Sequence, residues 1–346
     1  GSSMKRFSRV AVAAALVAAG MIVAAPRPAA ADPIADFYDG KTVSIIVAGG
    51  VGGGFDLYAR TLSQHMSRHI PGHPNIILQF MPGAGGVKGT NYLYGVSPRD
   101  GSTMGLPAQT VALFQRIQPG SVRYDAAKFN WVGRMVSATG VLVVWHGASA
   151  TSLKDMKTKQ IVWGSTGTSN DGYYFPRLMA TLLGYKFKIV TGYAGSAQII
   201  NAMERGELDA YVYIWASLKT AGASLLADKK LIPFANYSTE TPHDRPDLPL
   251  VSGLTDDPDK KAILELFSSI ATVGRSFALP PAVPAERVAA MRKAFDETMR
   301  DSAFLADAKK RRMDIEPMTG EKVQAVIEKA VATPQAIIEK AQAALK

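Results

Sequence analysis

Short apolar runs that end in glycine-rich turns constrain the fold of this chain more than any other feature. Residues 42–48 (TVSIIVA) predict a buried strand, and the turn GGVGGGF separates it from a helical pattern over 56–70. The run 75–81 predicts a second strand, which leads into the turn PGAGG and another helix. Strands that alternate with helices in this way are typical of α/β proteins with largely parallel sheets.

The same strand–turn–helix order starts again near residue 149, and this predicts two lobes. Lobe 1 is expected over 32–139 and 238–346, with a helical C-terminal tail, and lobe 2 over 140–237. The predicted strands of lobe 2 are 140–145, 160–164, 186–190, 208–215 and 231–237. A chain of 346 residues is long enough for two lobes of ordinary size.

Residues 1–31 have the pattern of a targeting signal rather than of a folded segment. The first three residues, GSS, precede Met4 and are typical of an expression scar. A basic head and the apolar run 10–25 lead to alanines at 29–31, which predicts a signal peptide cleaved before Asp32. A membrane anchor is the alternative, but the run is short, rich in alanine and followed by a cleavage site. We therefore expect export to the periplasm.

Composition narrows the class of protein further. The chain has no cysteine, which excludes disulfides and thiolate metal sites and suits an exported bacterial protein. Four of the 39 basic residues fall in the predicted targeting signal, which reduces the formal net charge from +10 to +6. The one tight basic run, 309–312 (KKRR), is expected on a solvated face near a helix end. A nucleic-acid partner is not expected, because such proteins concentrate positive charge and interleave aromatic residues.

Four turns rich in glycine, serine or threonine lie between a strand end and a helix start. They are 49–55 (GGVGGGF), 83–86 (GAGG), 164–169 (GSTGTS) and 192–196 (GYAGS). Backbone N–H groups at a helix start lack partners, and glycine lets an anion approach them closely. Such turns line the crevice at the carboxyl ends of strands in open α/β sheets. Four of them predict a shared anion cleft, although each alone is also explained as a tight turn.

Motifs that these turns lack exclude several functions. None matches G-x-G-x-x-G, and no G-x-x-x-x-G-K-[ST] occurs because Lys88 precedes Gly89 instead of following it. No serine lies in a G-x-S-x-G elbow. The sequence therefore contains none of the motifs that would best support dinucleotide binding, nucleotide-triphosphate binding or hydrolase activity.

The stretches 43–60 (VSIIVAGGVGGGFDLYAR) and 81–101 (MPGAGGVKGTNYLYGVSPRDG) resemble the Bug family. These are periplasmic substrate-binding receptors of tripartite tricarboxylate transporters. Further matches at 163–169, 193–209 and 277–316 extend the resemblance over nearly the whole chain after the leader. It implies a type II periplasmic-binding-protein fold, in which two α/β lobes are joined by two crossing strands and close on the ligand. It also implies that the first two loops hold one ligand carboxylate through backbone N–H groups and ordered waters.

The resemblance implies that residues at the positions matching the family's ligand-binding loops also bind ligand in this chain. They are Gly53, Gly54, Phe55 and Asp56 in the first loop, Gly83, Ala84, Gly85 and Gly86 in the second, Ser165, Thr168 and Ser169 in the third, and Tyr193, Gly195 and Ser196 in the fourth, with Tyr213 beyond them. The chain departs from the family at Phe55, where a small hydroxyl residue is usual. Near Asp171 the family often has histidine, and near Tyr213 an aspartate, so these departures put the usual distal contacts in doubt.

Other candidates have simpler explanations. His65, His69 and His73 have the i, i+4 spacing of a metal site, but Pro71 breaks the helix and no carboxylate joins them in sequence, which favours an exposed helix face. Asp56 is as well explained as a helix cap as a ligand contact. Five aromatic residues are expected to divide between core and cleft; they are Tyr173, Tyr174, Tyr211, Tyr213 and Trp215.

Together these features predict a non-enzymatic periplasmic receptor without cofactor or metal. It would capture a small organic carboxylate, a di- or tricarboxylate or an aromatic acid, and deliver it to the subunits of a tripartite tricarboxylate-type membrane transporter. We expect a monomer. A periplasmic α/β enzyme that acts on organic acids, and a ligand-sensing receptor for a sensor kinase, remain the alternatives.

Overall fold

The computed structural model describes residues 30–193, 195–239 and 241–346. The predicted signal peptide lies outside these residues except for its last two positions, so its cleavage stays a prediction. The predicted mature start, Asp32, caps the first helix, because its carboxylate accepts from the N–H groups of Ile34 and Ala35. Over the described ranges, no helix is both long and apolar enough to cross a membrane.

The described residues form strands and helices in alternation. The strands, in chain order, are β1 Thr42–Val47, β2 Asn75–Phe80, β3 Thr103–Leu106, β4 Asn130–Arg134, β5 Gly140–Trp145, β6 Ile161–Gly164, β7 Phe187–Val190, β8 Ala210–Ile214, β9 Leu231–Asn236, β10 Ser276–Leu279 and β11 Met318–Thr319. The α-helices are α1 Pro33–Tyr38, α2 Gly54–His65, α3 Val87–Gly95, α4 Val111–Ile117, α5 Asp171–Leu183, α6 Ser196–Glu204, α7 Trp215–Ala221, α8 Ala223–Ala227, α9 Pro258–Val273, α10 Ala285–Arg300, α11 Ser302–Lys310, α12 Gly320–Val331 and α13 Gln335–Ala344.

The strands build two sheets. The first has the order β11-β4-β10-β3-β1-β2 and the second β7-β6-β8-β5-β9. In the first, β1 runs parallel to β2 and β3, whereas β10 is antiparallel to β3 and β4. In the second, β6 runs parallel to β7 and β8, whereas β5 is antiparallel to β8 and β9.

The prediction of largely parallel sheets is therefore wrong. The antiparallel pairs involve β4, β5, β9 and β10, the strands through which the chain passes between the sheets. A strand that enters from the other sheet can run against its neighbours, whereas a local strand–helix–strand unit makes parallel pairs. The short strands β4, β10 and β11 were also not predicted from the sequence.

Each sheet is covered by helices that bury apolar side chains on it. The core of the first sheet joins β1 side chains such as Ile45 to Phe277 of β10 and Phe295 of α10, all fully buried. Trp163 of β6 anchors the core of the second sheet. The C-terminal helices α9 and α13 join that second core, where they pack near α5. The predicted lobe 2 contains every strand of the second sheet, and the division of the chain into lobes stays a prediction.

Two links between the sheets lie side by side. Residues 135–139 join β4 to β5, and the segment that ends at Arg275 returns the chain to β10. The Arg275 N–H donates to Val136 O at 3.0 Å, and its carbonyl accepts from Met135 N–H at 2.9 Å. Gly274 has φ +49° and no room for a side chain, because a Cβ there would lie 2.2 Å from Val136 O. This packing fixes Arg275 at the junction of the two sheets.

Candidate functional site

A cavity of about 710 Å³ lies between the carboxyl ends of the strands of both sheets. Residues from the loops after β1, β2 and β3 line one side, and 166–171 after β6 line the other. Ile214 and Arg275 complete the wall. Three of the four glycine-rich turns therefore line one cleft, at the position where open α/β sheets bind ligands, and the turn 192–196 does not.

The loop 83–86 lies on the first-sheet side of the cleft, directly before α3. All four residues have positive φ, including Ala84 at +49°. The N–H groups of Ala84 and Gly85 donate to no backbone acceptor among the described residues. A Cβ built on Gly85 would lie 3.8 Å from the carbonyl oxygen of Ser169, so loops of the two sheets meet here. Free N–H groups at a helix start make this loop a suitable anion cradle.

Arg275 is the cation of the cleft. It is 8% exposed, and its Nη1 donates to Gln109 Oε1 at 2.5 Å. Its guanidinium lies over the Phe55 ring, 4.2 Å from the ring centroid. The Nε atom is buried without a hydrogen-bond partner, and within the described chain no carboxylate lies at salt-bridge distance from this side chain. Burial lowers the pKa of Arg275, while the charge of Asp171, which lies beyond salt-bridge distance, acts in the opposite direction. A buried cation with no carboxylate in contact is costly, so the site favours an anion.

Asp171, the first residue of α5, supplies a carboxylate to the opposite wall. Its Oδ1 accepts from Gly172 N–H at 3.0 Å, and its Oδ2 accepts a short hydrogen bond from the Tyr237 hydroxyl. Burial raises the pKa of Asp171, while the hydrogen bonds from Tyr237 and Gly172 and the charge of Arg275 act in the opposite direction. The cleft thus has a cationic side and a carboxylate side.

The loop 165–170 is held in shape by its own side chains. Ser165 is fully buried, and its hydroxyl donates to Gly167 O at 2.8 Å. Asn170 Nδ2 donates to Thr166 Oγ1 at 2.9 Å. Thr168 and Ser169 line the cleft, whereas the Ser165 hydroxyl is engaged within its loop instead of facing the cavity.

The structure separates the residues predicted in the first loop. Phe55 lines the cleft, and Gly54 lies beside the guanidinium, where a Cβ would approach Arg275 Nη2 to 3.2 Å. Gly53 caps α2. Asp56 is buried behind the loop, where it accepts from Gly52 N–H at 2.8 Å and pairs with Arg60 at 2.7 Å. Asp56 therefore stabilises the loop and the first turn of α2.

The residues predicted in the fourth loop lie outside the cavity lining. Gly195 caps α6, and the Ser196 hydroxyl is 2.9 Å from the Tyr211 hydroxyl. Tyr193 and Tyr213 pack with the apolar cluster on the far side of the second sheet. Of the five aromatic candidates, none lines this cavity; Trp215 instead lines a second cavity of about 560 Å³ beside the links.

The histidines lie in a different setting from the exposed face that was predicted. His65 Nε2 lies 2.7 Å from Asp307 Oδ2, and His69 Nε2 lies 2.6 Å from Asp301 Oδ2. The acidic partners come from the α10–α11 region, more than 230 positions away, so sequence spacing does not reveal them. No cluster of three or more metal-ligating side chains occurs in the described part of the chain.

Sequence reasoning missed Arg275 and Gln109. Arg275 stands within the apolar stretch 271–279 (ATVGRSFAL). A single arginine in such a stretch indicates a buried charge with a functional role, since unpaired arginine is rarely buried.

Solved structures with this architecture come from carboxylate-binding and periplasmic proteins. The periplasmic binding protein BugD matches with a TM-score of 0.65 and 17% identity over 88% of this chain and 98% of its own. The chain has the type II periplasmic-binding-protein fold. The predicted fold is thus confirmed, and the order β2-β1-β3-β10-β4 shows how the long return through α9 inserts β10 into the first sheet.

Two further solved structures with this architecture contain ligands. A protein of R. palustris with adipate has a TM-score of 0.65 and 16% identity over 87% of this chain and 97% of its own. MatC from Rhodopseudomonas palustris with bound malate has a TM-score of 0.62 and 14% identity over 86% of this chain and 99% of its own. No protein-family model matches the sequence, and no curated protein matches it.

Proposed function

We propose that this protein is a periplasmic solute-binding receptor for a small organic carboxylate. It captures the acid in the cleft and presents it to the subunits of a tripartite tricarboxylate-type membrane transporter. The observation that carries the proposal is Arg275, a buried cation that lines the cleft with its Nε unpaired and no carboxylate of the described chain in contact. A carboxylate fits a guanidinium with two parallel hydrogen bonds, which makes it the natural missing partner.

The loop 83–86 supports the same ligand class from a second direction. The free N–H groups of Ala84 and Gly85 lie at the start of α3, where the helix dipole adds partial positive charge. A Cβ on Gly54 would lie only 3.2 Å from Arg275 Nη2, so glycine here keeps a side chain away from the guanidinium. The proposed contact set on this side is therefore Arg275, the second loop and Phe55, with Thr168 and Ser169 facing them from the other sheet.

The ligands of the structural neighbours support an organic acid. The proteins with adipate and with malate share this fold, and BugD is described as periplasmic. The proposed location of this chain follows from the leader pattern and that likeness. We propose a monomer that acts by binding alone, without cofactor, metal or turnover.

The transport role rests on the resemblance of the sequence to the Bug family. The proposed lobes, with boundaries near Gly140 and Tyr237, would close around the acid, since ligand contacts from both sheets need the closed state. The closed receptor would present a different surface from the open one, so a transporter could distinguish the ligand-bound state.

A thermal-shift screen across organic acids, followed by calorimetric titration of the best binder, tests the proposal. A ligand that binds only the folded state raises the melting temperature by mass action. We expect saturable binding of the acid with no change in its chemical composition after prolonged incubation, as judged by NMR. Conversion of the bound acid to a product would contradict a receptor, and equal affinity for the acid and its primary amide would contradict an anion cleft.

A further inference from the structure

The side chains that line the cleft have a particular balance of charge. Among the described lining residues, Arg275 is the cation and Asp171 the carboxylate, and the other polar groups are neutral amides and hydroxyls. A ligand with two carboxylates would bring two negative charges to a site that offers one cation and already holds one carboxylate. The second carboxylate would face Asp171, and like charges at a shared site repel.

Asp171 is held in place by two donors. Gly172 N–H occupies one oxygen and the Tyr237 hydroxyl the other. An ionised carboxylate has lone pairs left over but no proton to give, so its free capacity is to accept. While Asp171 is ionised, the group that a ligand places next to it must be a donor.

Tyr237 cannot readily turn away from Asp171. Its ring is fully buried and stacks on Phe175 with centroids 4.0 Å apart and planes 14° from parallel. On its other side, Gly140 has no side chain, and a Cβ there would lie 1.7 Å from Tyr237 Cε1. Burial raises the pKa of Tyr237 well above its ordinary value, so the hydroxyl keeps its proton and remains a donor.

Burial raises the pKa of Asp171, whereas a donor group on a bound ligand would lower it. Burial has this effect because it disfavours the ionised form. A donor group on the ligand would compensate that loss of hydration, especially a cationic one. The start of α5 and the positive charge of Arg275 favour the ionised form as well.

We infer that Asp171 determines specificity, so that the cleft selects a carboxylic acid whose other end is a hydrogen-bond donor, an ammonium or a hydroxyl group, over a dicarboxylate. The inference rests on the proposed function, because it assigns the first carboxylate of the ligand to Arg275 and the loop 83–86. Adipate and malate in the structural neighbours are dicarboxylates, so this chain is inferred to take a different class of acid.

The test uses straight-chain acids of four to six carbons in three matched series at pH 7. Each length is supplied as the dicarboxylate, the ω-amino acid and the ω-hydroxy acid, and each is titrated calorimetrically into the full protein. We expect the amino or the hydroxy member to bind at least about tenfold more tightly than the dicarboxylate of equal length. Tighter binding of the amino member assigns an ammonium group, and tighter binding of the hydroxy member assigns a hydroxyl.

Asp171→Asn is the decisive variant, because the amide keeps the size and an acceptor oxygen but loses the charge. It should lower the ratio of donor-acid to dicarboxylate affinity about tenfold or more, a change that altered folding alone would not produce. Tyr237→Phe keeps the ring stack, removes the donor to Asp171 and should shift the ratio in the same direction. Asp228→Asn, at an exposed position of the second-sheet side, is the control and should leave the ratio unchanged.

The outcomes separate the inference from the proposed function. If dicarboxylates bind best and Asp171→Asn leaves the ratio unchanged, while binding still depends on Arg275, the inference is wrong and the receptor stands. If no acid of any series binds, both are contradicted.

Discussion

The guanidinium of Arg275 lies over Phe55, 4.2 Å from the centre of its ring. The two residues come from opposite ends of the first-sheet sequence and meet at the cleft because β10 inserts next to β3. Phe55 contacts the cation, whose Nε has no hydrogen-bond partner and is available to a ligand. The aromatic side chain of Phe55 is thus explained by its contact with Arg275.

Phe55→Leu should weaken binding of the carboxylate ligand about threefold to tenfold. The substitution removes a cation–π contact worth about 0.5–2 kcal/mol, and the guanidinium then loses the surface that orients it. Calorimetric titration with the best acid from the screen measures the effect. Phe55→Tyr retains the ring and should bind like the wild type; an equal loss in both variants would point to a general disturbance of the loop.

Gly86→Ala should destabilise the fold by about 1–3 kcal/mol, because it combines a strained backbone with overpacking. Gly86 has φ +91°, and a Cβ there would lie 2.7 Å from Ala108 Cβ and 3.0 Å from Ala48 O. Urea denaturation measures the loss. Gly120→Ala is the control, since a Cβ at Gly120 meets nothing within 4 Å. Equal stability of the two variants would contradict the close packing of the loop against the first sheet.

Asp301 should make stability depend on pH in the acid range. Its hydrogen bond from Arg68 lowers its pKa most, and His69 and the N–H groups of Phe304 and Ala303 add to the effect. Because the folded-state pKa lies below the unfolded one, the stabilisation is present above about pH 4 and is lost as the pH falls below it.

Asp301→Asn keeps a capping side chain but removes the charge, so it should cost about 1 kcal/mol at pH 7. The difference from the wild type should shrink steadily as the pH falls from about 4 to about 2 in urea denaturation. A difference that stays constant over that range would show that the carboxylate charge does not carry the effect.

The side chain of Lys219 ties α7 of the second sheet to the segment after α11. Its Nζ lies 2.9 Å from Asp314 Oδ2 and 3.0 Å from Asp244 Oδ2. Lys219→Gln should change stability by no more than about 1 kcal/mol, because the pairs are partly exposed. It should nevertheless loosen the contact between the two sheets and raise the radius of gyration without ligand, as measured by small-angle scattering. Lys188→Gln, on the exposed side of β7, is the control, and identical scattering of the two variants would argue against a tie between the sheets.

The sequence predicts the parts of the site that are local. The strand β1 with its glycine turn and the loop 83–86 follow from apolar runs and glycine spacing within about fifteen residues, and the cleft follows from several such units. Arg275 escaped prediction because its role arises from pairing between residues 135–136 and 275, nearly 140 positions apart. The antiparallel strand pairs were not predicted for the same reason, since they too join segments that are distant in the sequence.

Side-chain orientation is the other property that the sequence did not determine. Ser165 and Asp56 stand in the right loops, yet their polar atoms bond within the loop or to Arg60. A one-residue difference in strand or turn phase decides whether a side chain faces the cleft or the core. Asp171 illustrates the reverse case, because it is the first residue of α5 and its side chain lines the cleft.

The affinity of the wild type and of Arg275→Gln for one acid and its primary amide shows whether Arg275 binds the ligand carboxylate. The wild type should bind the acid more tightly than the amide by about tenfold to a hundredfold. Arg275→Gln should abolish most of that preference, while Arg205→Gln, at an exposed ion pair with Glu207, should preserve it. If Arg275→Gln retains the full preference for the acid, Arg275 is not the partner of the carboxylate and the account is contradicted.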